Sequence, residues 1–219
     1  MGVEHSREIC MDSRVNDKKF RKRKIEGWTS QDHTEYSSRT TLRREKFLKA
    51  GKIINSYLSS EKYHRKMNIL EVGSGNRAAT KIVTDCFKDH ILGIITTDIA
   101  PHPTDYPEIR FDNVHSVGAV SKYGNWANTL LLISPLPGEI DSPASLSDYY
   151  ACHDFIESGR KGKMIIFIGE LGASDGTSGM YRYLMDHNRL ELKKRDIVSK
   201  SVDCFGGPTE KEVFIFCIV

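Results

Sequence analysis

The stretch Asn68-Ile-Leu-Glu-Val-Gly-Ser-Gly-Asn-Arg77, with Thr97-Asp98 downstream, constrains the fold of this chain more than any other segment. Residues 68–72 read as a short buried strand, apolar at Ile69, Leu70 and Val72, with Glu71 near its end. Gly73 and Gly75 then turn the backbone before a helix begins. Glycine belongs where a main chain turns tightly or lies against a ligand, because a Cβ would clash. The next apolar run, 91–97, closes on an acid, where a carboxylate can accept two hydroxyl hydrogen bonds from a ribose. Strand, glycine turn, helix, strand, acid is the layout of a nucleoside-binding α/β unit.

The flanking pattern extends this unit into a sheet. Phe47, Gly51, Ile54 and Leu58 recur at helical spacing within 42–58, and Ala78, Ala79, Ile82, Val83, Cys86 and Phe87 form one apolar stripe after the turn. Pro101, Pro103 and Pro107 break the chain into a loop. A third strand is expected over 108–111, ending in Asp112-Asn113, then a short helix over 114–120. A fully apolar fourth strand, 130–133, ends in Ser134-Pro-Leu-Pro-Gly138, and a helix at 146–157 leads to a fifth strand at 164–168. Residues 169–179 are polar and glycine-rich, consistent with a mobile lid, and precede a helix through 180–185. Two strands, 190–198 and 213–219, join around Gly206-Gly-Pro208. Alternating strands and helices predict parallel pairing with right-handed crossovers, while the last two strands, with no helix between them, should pair antiparallel. The expected fold is α/β: a doubly wound, mostly parallel seven-stranded sheet with an antiparallel C-terminal strand, occupying 41–219.

Glu71-Val-Gly-Ser-Gly75 resembles the first motif of class I S-adenosylmethionine-dependent methyltransferases, with Asp98 where they carry the ribose-binding acid. The resemblance covers 42–219 and implies their Rossmann-like fold and S-adenosylmethionine as cofactor. It implies cofactor contacts at Glu71, Gly73, Ser74, Gly75, Asp98, Ile99, Asp112 and Asn113, with Glu71 near the methionine amino group and Asp112 receiving the adenine amino group. Asp112-Asn113 reads equally well as an Asx turn opening the next helix. Ser134 and Pro135 fall where the family meets its substrate, and are faintly similar to the motif that binds an amino group in nitrogen methyltransferases. Leu136 and Gly138 depart from that motif, removing its stacking ring, so a rigid proline-kinked loop lining the pocket is the competing reading. Glu170, after the fifth strand, is a candidate general base. Arg77 stands where many relatives have a third glycine, which counts against a pyrophosphate-binding nicotinamide enzyme. Two alternatives to an active methyltransferase follow: a methyltransferase-like partner subunit without catalysis, and an NAD-dependent oxidoreductase.

Charge is unevenly placed. Residues 1–27 hold eight Lys/Arg against five Asp/Glu, which accounts for the whole net charge of +3. Six of the seven residues in 18–24 are basic. Residues 1–40 lack periodicity and read as a flexible basic extension, with Trp28 and Tyr36 able to anchor it. The basic run suits a solvated arm, a nuclear import signal or a grip on phosphates, so a nucleic-acid or protein acceptor is favoured, while the lack of a basic, aromatic-interleaved stripe in 42–219 leaves a small molecule open. No run approaches the ~20 apolar residues of a membrane helix, and the N-terminus lacks the apolar centre of a secretory signal. Five scattered cysteines, never spaced Cys-x-x-Cys, point to reduced thiols and an intracellular location, cytoplasmic or nuclear, with no metal site. His102, His115 and His153 show no metal or catalytic spacing.

Overall fold

The parallel core expected from strand–helix alternation is present in the computed structural model, which describes residues 30–60, 65–75, 77–98, 106, 108–135, 147–170, 178–202 and 208–219. The elements run α1 (Ser30–Ser60), β1 (Met67–Val72), α2 (Ala78–Asp85), a 3-10 turn (Lys88–His90), β2 (Ile91–Thr97) and β3 (Arg110–Asp112). They continue through α3 (Ser116–Tyr123), β4 (Thr129–Ile133), α4 (Ser147–Glu157), β5 (Met164–Glu170), α5 (Ser178–Asp186), β6 (Leu190–Val202) and β7 (Pro208–Ile218). Seven strands form one sheet in the order β3-β2-β1-β4-β5-β7-β6. β1 to β5 pair in parallel, and β7 runs antiparallel to both β5 and β6.

Strand order reverses at β1: β2 and β3 lie to one side, β4 and β5 to the other. Open α/β sheets bind ligands beyond the carboxyl ends of the strands at such a switch point. β4 and most of β5 are buried on both faces, which explains their unbroken apolar runs. On one face Ile54 and Leu58 of α1, Val83 of α2 and Phe87 cover Ile69, Leu131, Ile166 and Ile215. On the other, Val120 of α3, Phe155 of α4 and Leu184 of α5 cover Leu70, Leu130, Phe167 and Phe214. Each fully buried Phe or Leu side chain of this kind contributes about 1.5–3 kcal/mol.

The departures from expectation have local causes. α1 begins at Ser30, inside the segment whose sequence shows no periodicity. Its first turns are mostly polar in sequence, so an apolar-stripe criterion is blind to them. The chain divides into two units, 1–43 and 44–219; the packing described here is that of the second. Residues 1–29, the proline-rich stretch with Ile99 and His102, and 171–177 of the expected lid lie outside the described residues. α3 starts at Ser116, later than expected, because His115 caps it: its Nδ1 accepts the Gly118 N–H at 3.3 Å. β5 runs on through Gly169 and Glu170 because β7 continues to pair with it there, opposite Glu212 and Lys211.

α1 and α2 meet at a glycine. A Cβ on Gly51 would sit 2.6 Å from the Val83 carbonyl oxygen and 2.7 Å from Cys86 Sγ. This contact seats α2, and with it the turn that precedes α2. Gly51→Ala should therefore lower the urea midpoint. The ~1 kcal/mol gained in helix propensity is outweighed by overpacking of about 1–3 kcal/mol. A midpoint equal to or above that of the parent would show that the two helices yield freely.

Candidate functional site

Three left-handed residues shape the connection from β1 to α2. Gly73 has φ 70°, Gly75 φ 55° and Arg77 φ 65°. The first two suit glycine; the third places an arginine in a conformation that costs a residue with a Cβ roughly 1–2 kcal/mol. The turn is tied to β2 from both ends: Ser74 N–H donates to the Thr97 carbonyl at 3.0 Å, and Gly75 N–H donates to Asp98 Oδ2 at 2.8 Å. Thr97 Oγ1 in turn donates to the Glu71 carbonyl at 3.1 Å. Glu71, Ser74, Gly75, Thr97 and Asp98 are thus linked by hydrogen bonds at the switch point, with Gly73 in the same turn.

Among the described residues, a Cβ at Gly73 or Gly75 would meet nothing within 4 Å. Ser74 Oγ is buried without a hydrogen-bond partner among the described residues, a group that a ligand could satisfy. Beneath the turn lies Glu71, only 1% exposed. Thr80 Oγ1, one turn into α2, donates to Glu71 Oε2 at 2.6 Å. Burial pushes the Glu71 carboxyl up to about 8, the Thr80 hydrogen bond works against that rise, the nearby Asp98 charge adds to it and Arg77 opposes it. Glu71 is therefore mainly protonated at neutral pH.

Arg77 does not make the helix start an exposed basic end. It is 5% exposed, its guanidinium lies 4.7 Å from the Phe111 ring centre, and Nη1 donates to the Ile109 carbonyl at 3.5 Å. The side chain bridges from α2 to β3 as a cation–π contact.

Asp112 ends β3 level with Thr97. Its carboxylate accepts hydrogen bonds from Lys122 Nζ at 2.6 Å and from the Tyr123 hydroxyl, both on α3. These partners, Lys122 first, hold its carboxyl below the usual carboxylate range. In the structure Asp112 joins β3 to α3, and Asn113 beside it is exposed. His153 pairs with its neighbour Asp154 at 3.1 Å.

Across the switch point, β4 ends at Ser134, which is also left-handed at φ 45°. Its N–H donates to the Ile168 carbonyl at 2.7 Å, and its Oγ accepts from Lys211 Nζ at 2.6 Å. Lys211 lies across from Glu170 in the β5–β7 register and 5.8 Å from the Phe47 ring centre. Pro135 follows, half-buried. Lys211, bonded to Ser134 and opposite Glu170 in register, was missed by sequence reasoning. Thr80 and Lys122 were missed as well. No motif marks these residues, because their partners are set by register and helix phase.

No family model and no curated protein matches the chain. A solved structure shares its fold. The 1,6-didemethyltoxoflavin-N1-methyltransferase of Burkholderia thailandensis, solved with 1,6-didemethyltoxoflavin and S-adenosylhomocysteine, superposes with TM-score 0.52 at 12% identity, covering 86% of each chain. TrmN from Thermus thermophilus gives TM-score 0.48 at 11% identity over 75% of this chain and 47% of that one. A putative RNA methyltransferase from Pyrococcus horikoshii gives 0.48 at 10%, over 78% and 84%. The chain has the Rossmann-like fold of class I methyltransferases, with its antiparallel seventh strand.

Glu71 makes stability depend on pH. In the unfolded chain it loses its proton near 4.5, in the folded protein near 8. Between these values the unfolded state binds fewer protons, so this group's contribution is complete below pH 4.5 and is lost as pH rises to 8. Glu71→Gln should remove a loss on the order of a few kcal/mol. Urea denaturation of both proteins from pH 4.5 to 8.5 checks this: the gap between them should change steadily in favour of the variant. A constant gap would show that Glu71 ionises normally.

Proposed function

We propose that this protein is an S-adenosylmethionine-dependent methyltransferase. The observation that carries the reading is the open glycine cradle at the switch point, flanked by Asp98 and floored by the buried carboxyl of Glu71. These residues fit the cofactor's parts. Gly73 and Gly75 leave room for a ligand against the main chain, Asp98 stands where a ribose would place its hydroxyls, and Glu71 would face the methionine ammonium. Ser74 offers a hydroxyl that no described residue uses. Asp112 and Asn113 lie at the end of β3 on the adenine side, although Asp112 is already committed to α3. Bound there, S-adenosylmethionine would supply an electrophilic methyl group on its sulfonium.

The chain's own contribution is placement. Parallel pairing of β1 with β4 sets Glu71 beside Leu131, so the glycine turn and Ser134 leave the same edge of the sheet. An acceptor lodged over Ser134 and Pro135 would lie next to the methyl donor, and holding two reactants in such geometry supplies much of a transfer rate. Glu170, at the end of β5, is the group we assign to take a proton from the acceptor. We infer a nucleic acid or protein as the acceptor, drawn by the basic run 18–24, whose sequence-independent attraction would weaken with salt. The engagement of Asp112 by α3 favours, as a second reading, a partner subunit that has given up part of the adenine site. A nicotinamide enzyme is less favoured, since Arg77 fills the position of the third glycine.

Calorimetry with S-adenosylmethionine, S-adenosylhomocysteine and NAD tests the reading. The first two should bind, and binding should fall at least tenfold in Gly73→Arg and Asp98→Asn. Because an ammonium beside Glu71 favours its ionised form, S-adenosylmethionine should expel a proton on binding below pH 8 and bind more tightly as pH rises from 6 to 8. Titrations in buffers of different ionisation enthalpy would report that proton. Silence from both sulfur ligands sinks the enzyme, and binding of NAD alone would replace it.

A further inference from the structure

We propose that Ser134, oriented by Lys211, is a hydrogen-bond donor to the acceptor molecule, so that the site takes an acceptor presenting a carbonyl or carboxylate oxygen there rather than an amino group. The inference rests on the methyltransferase reading of the sheet's carboxyl edge and adds to it the chemistry of the substrate.

A serine hydroxyl has one proton to give and two lone pairs to receive. Lys211 Nζ, an ammonium with donors only, occupies one of those lone pairs at 2.6 Å. The hydroxyl's own proton has no recipient among the described residues. An ammonium against Oγ also draws electron density from it, making the hydroxyl a stronger donor and a poorer acceptor. The oxygen is thus set up to give a hydrogen bond, the reverse of what binding an amino group through Ser134 would require.

The geometry is held at some cost. Ser134 is left-handed at φ 45°, a region a non-glycine residue occupies for about 1–3 kcal/mol, and it precedes Pro135, whose ring favours extended backbone at the residue before it. What holds the residue there is its N–H to the Ile168 carbonyl at 2.7 Å together with the Lys211 bond. Strain maintained at a strand end beside the candidate site calls for a role, and aiming the hydroxyl supplies one. Glu170 lies opposite Lys211 in the β5–β7 register. With its ammonium engaged at Oγ, Lys211 leaves the site a directed hydroxyl.

Benzoate and benzylamine are matched probes of this polarity. Each is titrated into isotope-labelled protein, with and without S-adenosylhomocysteine, while backbone amide shifts are followed by NMR. Benzoate should shift the Ser134 and Lys211 amides saturably, and benzylamine should leave them in place. Benzoate affinity should fall about tenfold in Ser134→Ala and Lys211→Met and be retained in Lys211→Arg. The undisturbed amide spectrum of the arginine variant separates loss of the donor from loss of the fold. The proposal is overturned if benzoate does not shift these amides, if it binds the three variants alike, or if benzylamine binds as well. The cofactor reading is tested separately in the same spectra, because S-adenosylhomocysteine should move Gly73, Gly75 and Asp98. Absence of those shifts with benzoate binding intact would remove the methyltransferase and leave the oxygen-selective site standing.

Discussion

The hydrogen bond from the Gly75 amide to the Asp98 carboxylate ties together almost everything at the switch point. Together with the Ser74–Thr97 backbone bond, it holds a turn containing three left-handed residues against β2. The same carboxylate lies close enough to Glu71 to help keep that acid protonated. One side chain therefore fixes the shape of the cradle and part of its electrostatics. Glycine accommodates two of the three left-handed positions, and the acid just beyond β2 anchors the second of them.

Much of the sheet was legible because burial writes itself into sequence. β1, β2, β4 and β5 are apolar runs of strand length bounded by turn residues, and their alternation with helices leaves little choice of topology. The antiparallel β6–β7 pair was equally plain, since no helix separates those strands. The glycine turn and Asp98 could be placed because their roles depend on backbone conformation at fixed positions in a βαβ unit.

What escaped the sequence depends on partners far away along the chain. Arg77 was legible only as the residue in place of a third glycine, yet it is buried with its guanidinium over Phe111. Asp112 looked available, yet the phase of α3 brings Lys122 and Tyr123 to its carboxylate. Glu170 reads as a loop acid until β7 pairs beside it, and only that register reveals Lys211 and its bond to Ser134. The early start of α1 was hidden for a different reason: helices without an apolar face carry no periodic signal.

The place of β7 has a consequence for how the sheet is assembled. It lies between β5 and β6 although it follows both in the chain. Until it arrives, β6 has no neighbour to pair with, and the hydrogen-bonding edge of β5 stays bare. The sheet cannot grow strand by strand in the order of synthesis, because its sixth strand in space is the last to be made. Closure must await a contact between distant parts of the sequence, which slows folding and leaves an apolar edge open in the meantime. The same insertion brings Lys211 to Ser134, so the candidate acceptor site is completed in the step that completes the sheet.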